Sequence, residues 1–225
     1  MNVKDSLKQI DDEEMTDLFL TAQAFVFFAA GFETSSTTMS HAMYELALNQ
    51  DIQDKLREEV NATFAENDAK LSYDSVRSMI YLDKVFKESL RKYPAALTLF
   101  RKSMNDHSFP GTDISIPRGT CMLIPTYVIH HDPTYYPDPD KFDPERFDKE
   151  TANGRSRMTF LPFGDGPRNC IGERFAQNQS KVGLAMIIRN FKLEVCERTC
   201  KTYIKHEGSP LLAPLDGLYL KLRNI

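Results

Sequence analysis

The chain has 225 residues, of which 41% are hydrophobic and 27% are charged, and its formal net charge at pH 7 is −4. This is an ordinary globular composition, long enough for a sizeable core, and the mildly acidic balance gives no indication of a nucleic-acid partner. The four cysteines could form two disulfides. However, no secretory signal is evident and a chain of this length needs no such crosslinks, so we expect all four to be reduced.

The first predicted element is an unusually long helix. Its most apolar part runs from Leu18 to Phe32, and the periodic pattern continues to Leu46. Asp17 and the acidic residues before it suit the positive end of the helix dipole. The apolar part has about fifteen residues, whereas a bilayer helix needs roughly twenty. We therefore predict a buried core helix, and no membrane span in this chain.

The middle of this helix carries the segment Ala30-Gly31-Phe32-Glu33-Thr34-Ser35-Ser36-Thr37. Glycine loosens a helix and hydroxyl side chains bond back to the preceding turn, so the sequence predicts a local kink or an opened turn that could hold water. Ala30 and Thr34 are four residues apart and share a helix face. Such tracts also serve as packing accommodations in helices, and that alternative stays open.

The next informative element is an amphipathic helix from Tyr81 to Tyr93, which Pro94 stops. Glu88 and Arg91 are three residues apart within it, so they lie on one face and can pair. A bare Glu-x-x-Arg is too common to carry weight by itself.

Short strand-like runs follow over residues 95–125, broken by Pro110-Gly111 and by Pro117-Arg118-Gly119. The stretch from 132 to 147 is dotted with prolines and predicts a long irregular meander that ends in Pro144-Glu145-Arg146-Phe147. We expect His130 and His131, just before it, to be capped or surface histidines without a ligand role, because neither has ligand spacing.

The most informative motif is the loop Phe163-Gly164-Asp165-Gly166-Pro167-Arg168-Asn169-Cys170-Ile171-Gly172. A thiolate bound to haem iron must be held by backbone that approaches the porphyrin closely, and the glycines permit this approach. Arg168 could pair with a haem propionate in a bidentate fork. A helical pattern begins after Gly172, and its N-terminus would favour a thiolate at Cys170.

Basic residues surround this loop, and Asp165 and Glu173 are the acidic residues among them. Such a surface could dock an acidic electron donor, although an ordinary solvated face is an equal alternative. The basic residues are Arg155, Arg157, Arg168, Arg174, Lys181, Arg189 and Lys192.

The three other cysteines are expected to be small buried hydrophobes. Cys121 lies in an apolar strand-like run. Cys196 and Cys200 have helical spacing that would suit a metal pair, but no second pair completes a zinc site.

The run Phe163-x-x-Gly166-x-Arg168-x-Cys170-x-Gly172 resembles the signature loop of the haem-thiolate monooxygenases, the cytochrome P450 superfamily. The Ala30–Thr37 segment, the Glu88–Arg91 pair and Arg146 come in the family's order, so the resemblance covers the whole chain. It is greatest to the microsomal, insect-type branch that acts on xenobiotics. The implied fold is mainly α with small β-sheets, the C-terminal part of the cytochrome P450 fold.

The resemblance implies haem b with Cys170 as the axial thiolate ligand of the iron. It also implies that Thr34 hydrogen-bonds bound dioxygen and that Glu33 relays protons through water. A buried ion network would lock the meander and would be structural, not catalytic. It consists of Glu88, Arg91 and Arg146. The other implied cofactor contacts are Phe163, Gly166, Gly172, Arg168, Arg101 and Ala30.

The implied function is insertion of one oxygen atom of O2 into a lipophilic substrate, either a xenobiotic or an endogenous compound. Electrons would come from NADPH through a separate reductase, with cytochrome b5 as a second donor, because no nucleotide-binding glycine loop is evident. The family setting is the cytoplasmic face of the endoplasmic reticulum membrane. Matching substrate-pocket positions, each of which also suits a simple core residue, are Phe25, Phe28, Ala29, Leu97, Thr98, Leu211 and Leu212.

Members of the family are about twice as long, so we expect residues 1–225 to be a partial domain that lacks the N-terminal half and its membrane anchor. The domain would run from the long central helix to the C-terminal β region. Between them it would include residues 163–172, the loop around Cys170, which is called the ligand loop below. Two alternatives stay open: a haem-thiolate isomerase or dehydratase, which needs no oxygen activation, and a non-catalytic, haem-free interaction module.

Overall fold

The computed structural model describes residues 16–67, 70–200, 212 and 214–225, and the chain divides into two compact units, residues 1–34 and 35–225. Helix α1 (Asp17–Leu48) is the first element. The elements are those expected of a mainly helical chain with small antiparallel sheets, so the predicted fold class is confirmed.

In the first unit, the described residues form the N-terminal part of α1, and its apolar side chains are exposed. Leu18, Phe25 and Phe28 are 79%, 67% and 70% exposed. The prediction of a buried core helix is therefore wrong for this part of the chain. The physical reason is that a single helix cannot cover its own apolar side chains, which need a second element to pack against.

The prediction that no segment could span a membrane also needs correction. By length and hydropathy, α1 is a candidate membrane span, and it is the one helix in the described part of the chain that qualifies. The sequence prediction extended the helix to Leu46, close to its observed end at Leu48, but it judged the span by the apolar run that ends at Phe32. A core helix of a soluble protein has the same length and composition, so these properties alone do not decide between the two environments.

The second unit is built on packed helices. Its helices are the end of α1, α2 (Gln50–Glu66), α3 (Tyr73–Ser78), α4 (Ile80–Lys92), α5 (Thr126–His130), α6 (Lys149–Ala152) and α7 (Glu173–Asn190). Leu46 of α1, Leu56 of α2, Leu82 of α4 and Leu184 of α7 belong to one fully buried cluster. Helix α4 ends two residues before Pro94, within one residue of each predicted boundary.

The strands form three small antiparallel pairs. The strands are β1 (Leu99–Lys102), β2 (His107–Ser108), β3 (Ser115–Ile116), β4 (Cys121–Ile124), β5 (Phe191–Glu194) and β6 (Lys221–Asn224). Strand β1 pairs with β4, from Leu99 opposite Ile124 to Lys102 opposite Cys121. Strand β2 pairs with β3, and β5 with β6. The strand-like runs predicted over residues 95–125 are thus confirmed.

Candidate functional site

The loop that precedes α7 is held in a fixed shape by its own backbone. The Cys170 amide donates a hydrogen bond to the Phe163 carbonyl (2.8 Å), and the Asn169 amide donates one to the Gly166 carbonyl (3.1 Å). Gly164 and Gly166 have φ angles of 73° and 78°, a left-handed conformation that side chains with a Cβ rarely adopt. Cys170 therefore lies at the end of a closed loop, two residues before the N-cap of α7, Gly172.

The surroundings of the Cys170 thiol fit haem. The thiol is exposed, as are the neighbouring apolar side chains of Ile171 (88%) and Phe175 (67%). A Cβ added at Gly172 would lie 3.9 Å from the Cys170 sulfur, an ordinary contact distance, so Gly172 is next to the thiol. An exposed soft donor beside exposed apolar groups suits the iron and the flat apolar ring of a porphyrin.

Arg101 lies beside the same loop. Its Nη2 donates to the Arg168 carbonyl (3.4 Å), and its Nη1 donates to the Phe100 carbonyl (2.9 Å). A Cβ added at Gly164 would be 3.6 Å from Arg101 Nη2, so the strand and the loop are in close contact. The structure thus brings Arg101, Arg168 and Cys170 into one region, while Phe163 packs against the core.

The predicted basic surface around this loop is smaller than expected. Arg157 forms an ion pair with Asp165 (2.6 Å), and Lys181 is buried in an ion pair with Asp83. Arg155 lies over the ring of Tyr136, 4.5 Å from its centroid. The contacts of Lys181 and Arg155 join residues distant in sequence, so charge counting along the chain could not reveal them.

Asp165 was not among the predicted site residues. Arg157 Nη2 contacts both of its carboxylate oxygens, at 2.6 and 2.8 Å. The Arg157 guanidinium holds the pKa of Asp165 below its usual range. The sequence signal was present, because Asp165 stands between two of the loop's glycines and a basic cluster precedes it.

Glu88, Arg91 and Arg146 form a buried ion network. Arg91 Nε donates to Glu88 Oε2 (2.7 Å), and Arg91 Nη2 donates to Glu88 Oε1 (2.9 Å). Arg146 Nε lies 3.4 Å from Glu88 Oε1. Both Glu88 and Arg91 are fully buried, and Arg146 is nearly so. Burial raises the pKa of Glu88, and its hydrogen bonds with Arg91 oppose that rise.

The network also holds the meander through its backbone. Arg91 donates to the carbonyls of His130 (3.0 Å) and Pro139 (2.8 Å), and Arg146 Nη2 donates to the Asp138 carbonyl (2.8 Å). The amide of Asp143 donates to Glu88 Oε1 (2.9 Å). Sequence reasoning missed these backbone partners, because any residue type supplies a backbone carbonyl or amide.

The expectation for His130 is wrong. It is fully buried, and its Nε2 accepts a hydrogen bond from the Leu161 amide (2.8 Å), which ties α5 to the segment that leads into the ligand loop. Burial lowers the pKa of His130 to about 3. His131 is half-buried, and its Nδ1 is 2.9 Å from the Tyr127 carbonyl.

Acid should destabilise the protein through its buried histidines. Burial lowers the pKa of His41 to about 4, below its ordinary value of 6.5. Below pH 6.5 the unfolded chain takes up a proton that the folded chain excludes, so stability is lost as the pH falls toward 4. We expect His41 alone to contribute on the order of 2–4 kcal/mol to this loss.

Urea denaturation at a series of pH values measures the effect of His41. His41→Phe, which keeps the ring stacked on Tyr93, should lose less stability between pH 6.5 and 4 than the parent protein. His107→Gln is the matched control, because His107 is exposed. Equal pH dependence in His41→Phe and the parent would contradict the assignment.

The predicted acid–alcohol pair lies in the first unit. Thr34 Oγ1 donates to the Ala30 carbonyl (2.7 Å), which places these two residues on one helix face as predicted. Glu33 is exposed. Helix α1 runs through this segment without a break, so the predicted opened turn is not present in the helix described here. The hydroxyl bonds to the preceding turn without opening it, an arrangement that helices accommodate.

The family of the chain follows from comparison with known proteins. A family model described as Cytochrome P450 matches residues 1–221. This chain belongs to the cytochrome P450 family. The predicted membership is thereby confirmed.

Several curated cytochromes P450 from insects are similar to this chain. Probable cytochrome P450 6a14 of Drosophila melanogaster is 51% identical over 207 residues, which cover 92% of this chain and 41% of that protein. Probable cytochrome P450 6a13 of the same species is 45% identical over 223 residues, which cover 97% of this chain and 45% of that protein. Cytochrome P450 6A1 of Musca domestica is 48% identical over 210 residues, which cover 92% of this chain and 41% of that protein. The chain spans less than half the length of each of these relatives.

The predicted substrate-pocket residues of this cytochrome P450 chain fall in different parts of the structure. Phe25, Phe28 and Ala29 are exposed on α1 in the first unit. In the second unit, Leu97 and Thr98 are half-buried, and Leu212 is buried with its amide donating to the Ala95 carbonyl (3.3 Å). Leu211 lies outside the described residues.

Cys121, Cys170 and Cys196 of this cytochrome P450 chain are free thiols. Cys121 and Cys200 are exposed, so the expectation of buried hydrophobes is wrong for both. The Cys196 thiol instead accepts a hydrogen bond from Thr199 Oγ1 (3.5 Å). Among the described residues, no group of three or more His, Cys, Asp or Glu side chains could hold a metal ion.

Proposed function

We propose that the protein containing this chain is a haem-thiolate monooxygenase that inserts one oxygen atom of O2 into a lipophilic substrate, xenobiotic or endogenous. The observation that carries the proposal is the exposed thiol of Cys170, at the end of a loop closed by the 2.8 Å hydrogen bond to the Phe163 carbonyl. We also propose that residues 1–225 are part of a longer domain, which is supported by the partial coverage of the relatives.

Each residue of the loop region has a proposed task toward the haem. Cys170 would hold the iron as a thiolate, and Gly166 and Gly172 would allow the backbone to approach the ring. Arg168 and Arg101 would neutralise the propionates, since a guanidinium matches a carboxylate in a bidentate fork. When bound, thiolate-ligated haem supplies the electron density that favours cleavage of the O–O bond.

Residues of α1 would take part in proton transfer and would leave space for oxygen. The Thr34 hydroxyl donates to Ala30, and its oxygen has two lone pairs, so it can also accept a hydrogen bond. We propose that the Thr34 oxygen would accept a hydrogen bond from a water molecule and so hold a proton on the oxygen-binding side of the site, and that Glu33 would exchange protons with water. Ala30 lies one turn from Thr34 on the same helix face and would leave room for the ligand.

The proposed electron source is NADPH through a separate reductase, with cytochrome b5 as an additional donor. Exposed Arg174 supports a docking surface for an acidic protein. We place the enzyme at the cytoplasmic face of the endoplasmic reticulum membrane, as a microsomal protein. The apolar length of α1 is compatible with membrane contact but does not require it.

Isotope-labelled O2 tests the reaction class. A reconstituted system of enzyme, reductase and NADPH should place one labelled oxygen atom in the product of a lipophilic substrate. An isomerase or dehydratase would form an unlabelled product without consuming NADPH. Unlabelled product in the complete system would therefore contradict the monooxygenase proposal.

Thr34→Ala should uncouple oxygen consumption from product formation. Loss of the hydroxyl removes the acceptor that would hold a proton-donating water in place, an effect that commonly exceeds about tenfold when proton transfer limits the reaction. Oxygen uptake and product are measured together, and the excess uptake should appear as hydrogen peroxide. Thr34→Ser keeps the hydroxyl and should retain coupling. Unchanged product per O2 in Thr34→Ala would refute the assigned role.

A further inference from the structure

A cavity of about 240 Å³ lies between α3, the start of α4 and α7, outside the ligand loop. Helix α7 lines it with Arg174, Gln177, Asn178 and Lys181, whose spacing of three and four places them on one helix face. Helix α3 contributes Arg77 and two neighbours at the same spacing. The cavity therefore has two facing helix surfaces as its walls.

The charge of this cavity is positive. Asp83 is the one acidic residue among the described residues that line it, and its carboxylate is occupied by ion pairs with Lys181 and with Lys87 (2.6 Å). Arg77 and Arg174 are exposed and form no ion pair with any described residue. The two guanidinium groups thus supply about two uncompensated positive charges at a concave surface, which concentrates their field.

The polar groups of the walls suit an anion with several oxygens. Asn178 provides a side-chain amide and Tyr73 provides a phenol, whereas Gln177 Nε2 already donates to Glu173 Oε1 (3.1 Å). The Oδ1 atom of Asn178 is buried and has no hydrogen-bond partner among the described residues. A ligand that carries a hydroxyl would supply the missing donor.

We propose that this cavity binds a phosphate group carried by a small molecule. A phosphomonoester has a charge of about −1.5 to −2 at pH 7, which matches the two guanidinium groups. Its oxygens accept paired hydrogen bonds from the planar guanidinium fork, and its protonated fraction carries the hydroxyl that can donate to Asn178. A cavity of this size is small compared with the roughly 300–1,000 Å³ of drug-sized pockets, so the ligand is small.

The site is separate from the proposed catalytic chemistry but adjacent to it. Gln177 also lines a neighbouring cavity of about 150 Å³ together with Phe163 and Gly164 of the ligand loop. Arg174 follows Cys170 by four residues. The proposal itself does not rest on the haem function, because binding can be measured without turnover.

Calorimetric titration of the full chain with sodium phosphate and with phenyl phosphate tests the proposal. We expect saturable heat that sodium chloride at equal ionic strength does not give. Arg77→Ala combined with Arg174→Ala should weaken binding at least about tenfold, because the charge-assisted hydrogen bonds are lost. Arg174→Lys, which keeps the charge but not the fork, should bind with intermediate affinity.

Arg118→Ala is the matched control, an exposed arginine outside the cavity, and it should bind phosphate as the parent does. Circular dichroism verifies that each variant is folded. Co-sedimentation with phosphatidylcholine vesicles, with and without phosphatidic acid, separates the two sources of the group. Sedimentation that needs phosphatidic acid and is lost in the double variant assigns it to a lipid headgroup, and sedimentation that phosphatidic acid does not increase assigns it to a soluble ester. No saturable heat, or equal affinity in the double variant, would overturn the proposal.

Discussion

Replacing Cys170 by serine is expected to abolish the thiolate-type absorption band of the reduced, carbon monoxide-bound protein. The serine hydroxyl is nearly the same size but is not a soft anionic donor, so it does not reproduce the electron donation of a thiolate. Substrate oxidation should fall to background with the band. The spectrum of the haem-loaded protein is the direct measurement, because it reports the axial ligand independently of any substrate.

Cys121→Ser is the matched control for Cys170. Cys121 is also an exposed free thiol, but it lies on β4, outside the ligand loop. Its replacement should leave the absorption band and the activity as they are in the parent. Retention of the thiolate-type band in Cys170→Ser would remove Cys170 from the site and with it the proposed function.

Arg91→Met should lower the free energy of unfolding by about 3–5 kcal/mol, because it leaves the carboxylate of Glu88 buried without its main partner. The same change removes the donors to the His130 and Pro139 carbonyls, so the meander should loosen. Urea denaturation followed by circular dichroism measures the loss. Adding Glu88→Gln should recover part of the stability, since no unpaired charge then remains beside the missing arginine.

An exposed ion pair provides the comparison for Arg91. Lys55 contacts Glu145 at 2.6 Å, and about half of each side chain is in solvent. Lys55→Met should cost at most about 1 kcal/mol. A loss of similar size for Arg91→Met would mean that the buried network does not hold the meander in place.

The sequence predicted local features of the site better than distant ones. Glu88 and Arg91 lie on one helical turn, so their pairing follows from helix geometry. The ligand loop could be predicted because its glycines permit, and its proline fixes, particular backbone conformations at recognisable positions. The partners of Arg91 in the meander could not be predicted, because an irregular segment brings backbone carbonyls to Arg91 whatever the residue types are.

Burial was the least predictable property. The apolar pattern of Leu18–Phe32 correctly indicated a helix, but hydrophobicity does not specify what covers it, and these side chains are exposed. The prediction for His130 was wrong in the opposite sense, because this histidine was expected at the surface and is fully buried. Burial is possible because its ring nitrogen accepts a hydrogen bond from the Leu161 amide.

The hydrogen bond from the Cys170 amide to the Phe163 carbonyl has a consequence for cofactor assembly. Because the loop is closed by its own backbone, the thiol is pre-organised, and under the proposed function haem binding would not need to supply the free energy that orders the loop. We therefore expect this loop to form together with the protein core, against which Phe163 packs, and haem to bind afterwards. Mutations that open the loop should therefore act first on haem retention, and only through it on turnover.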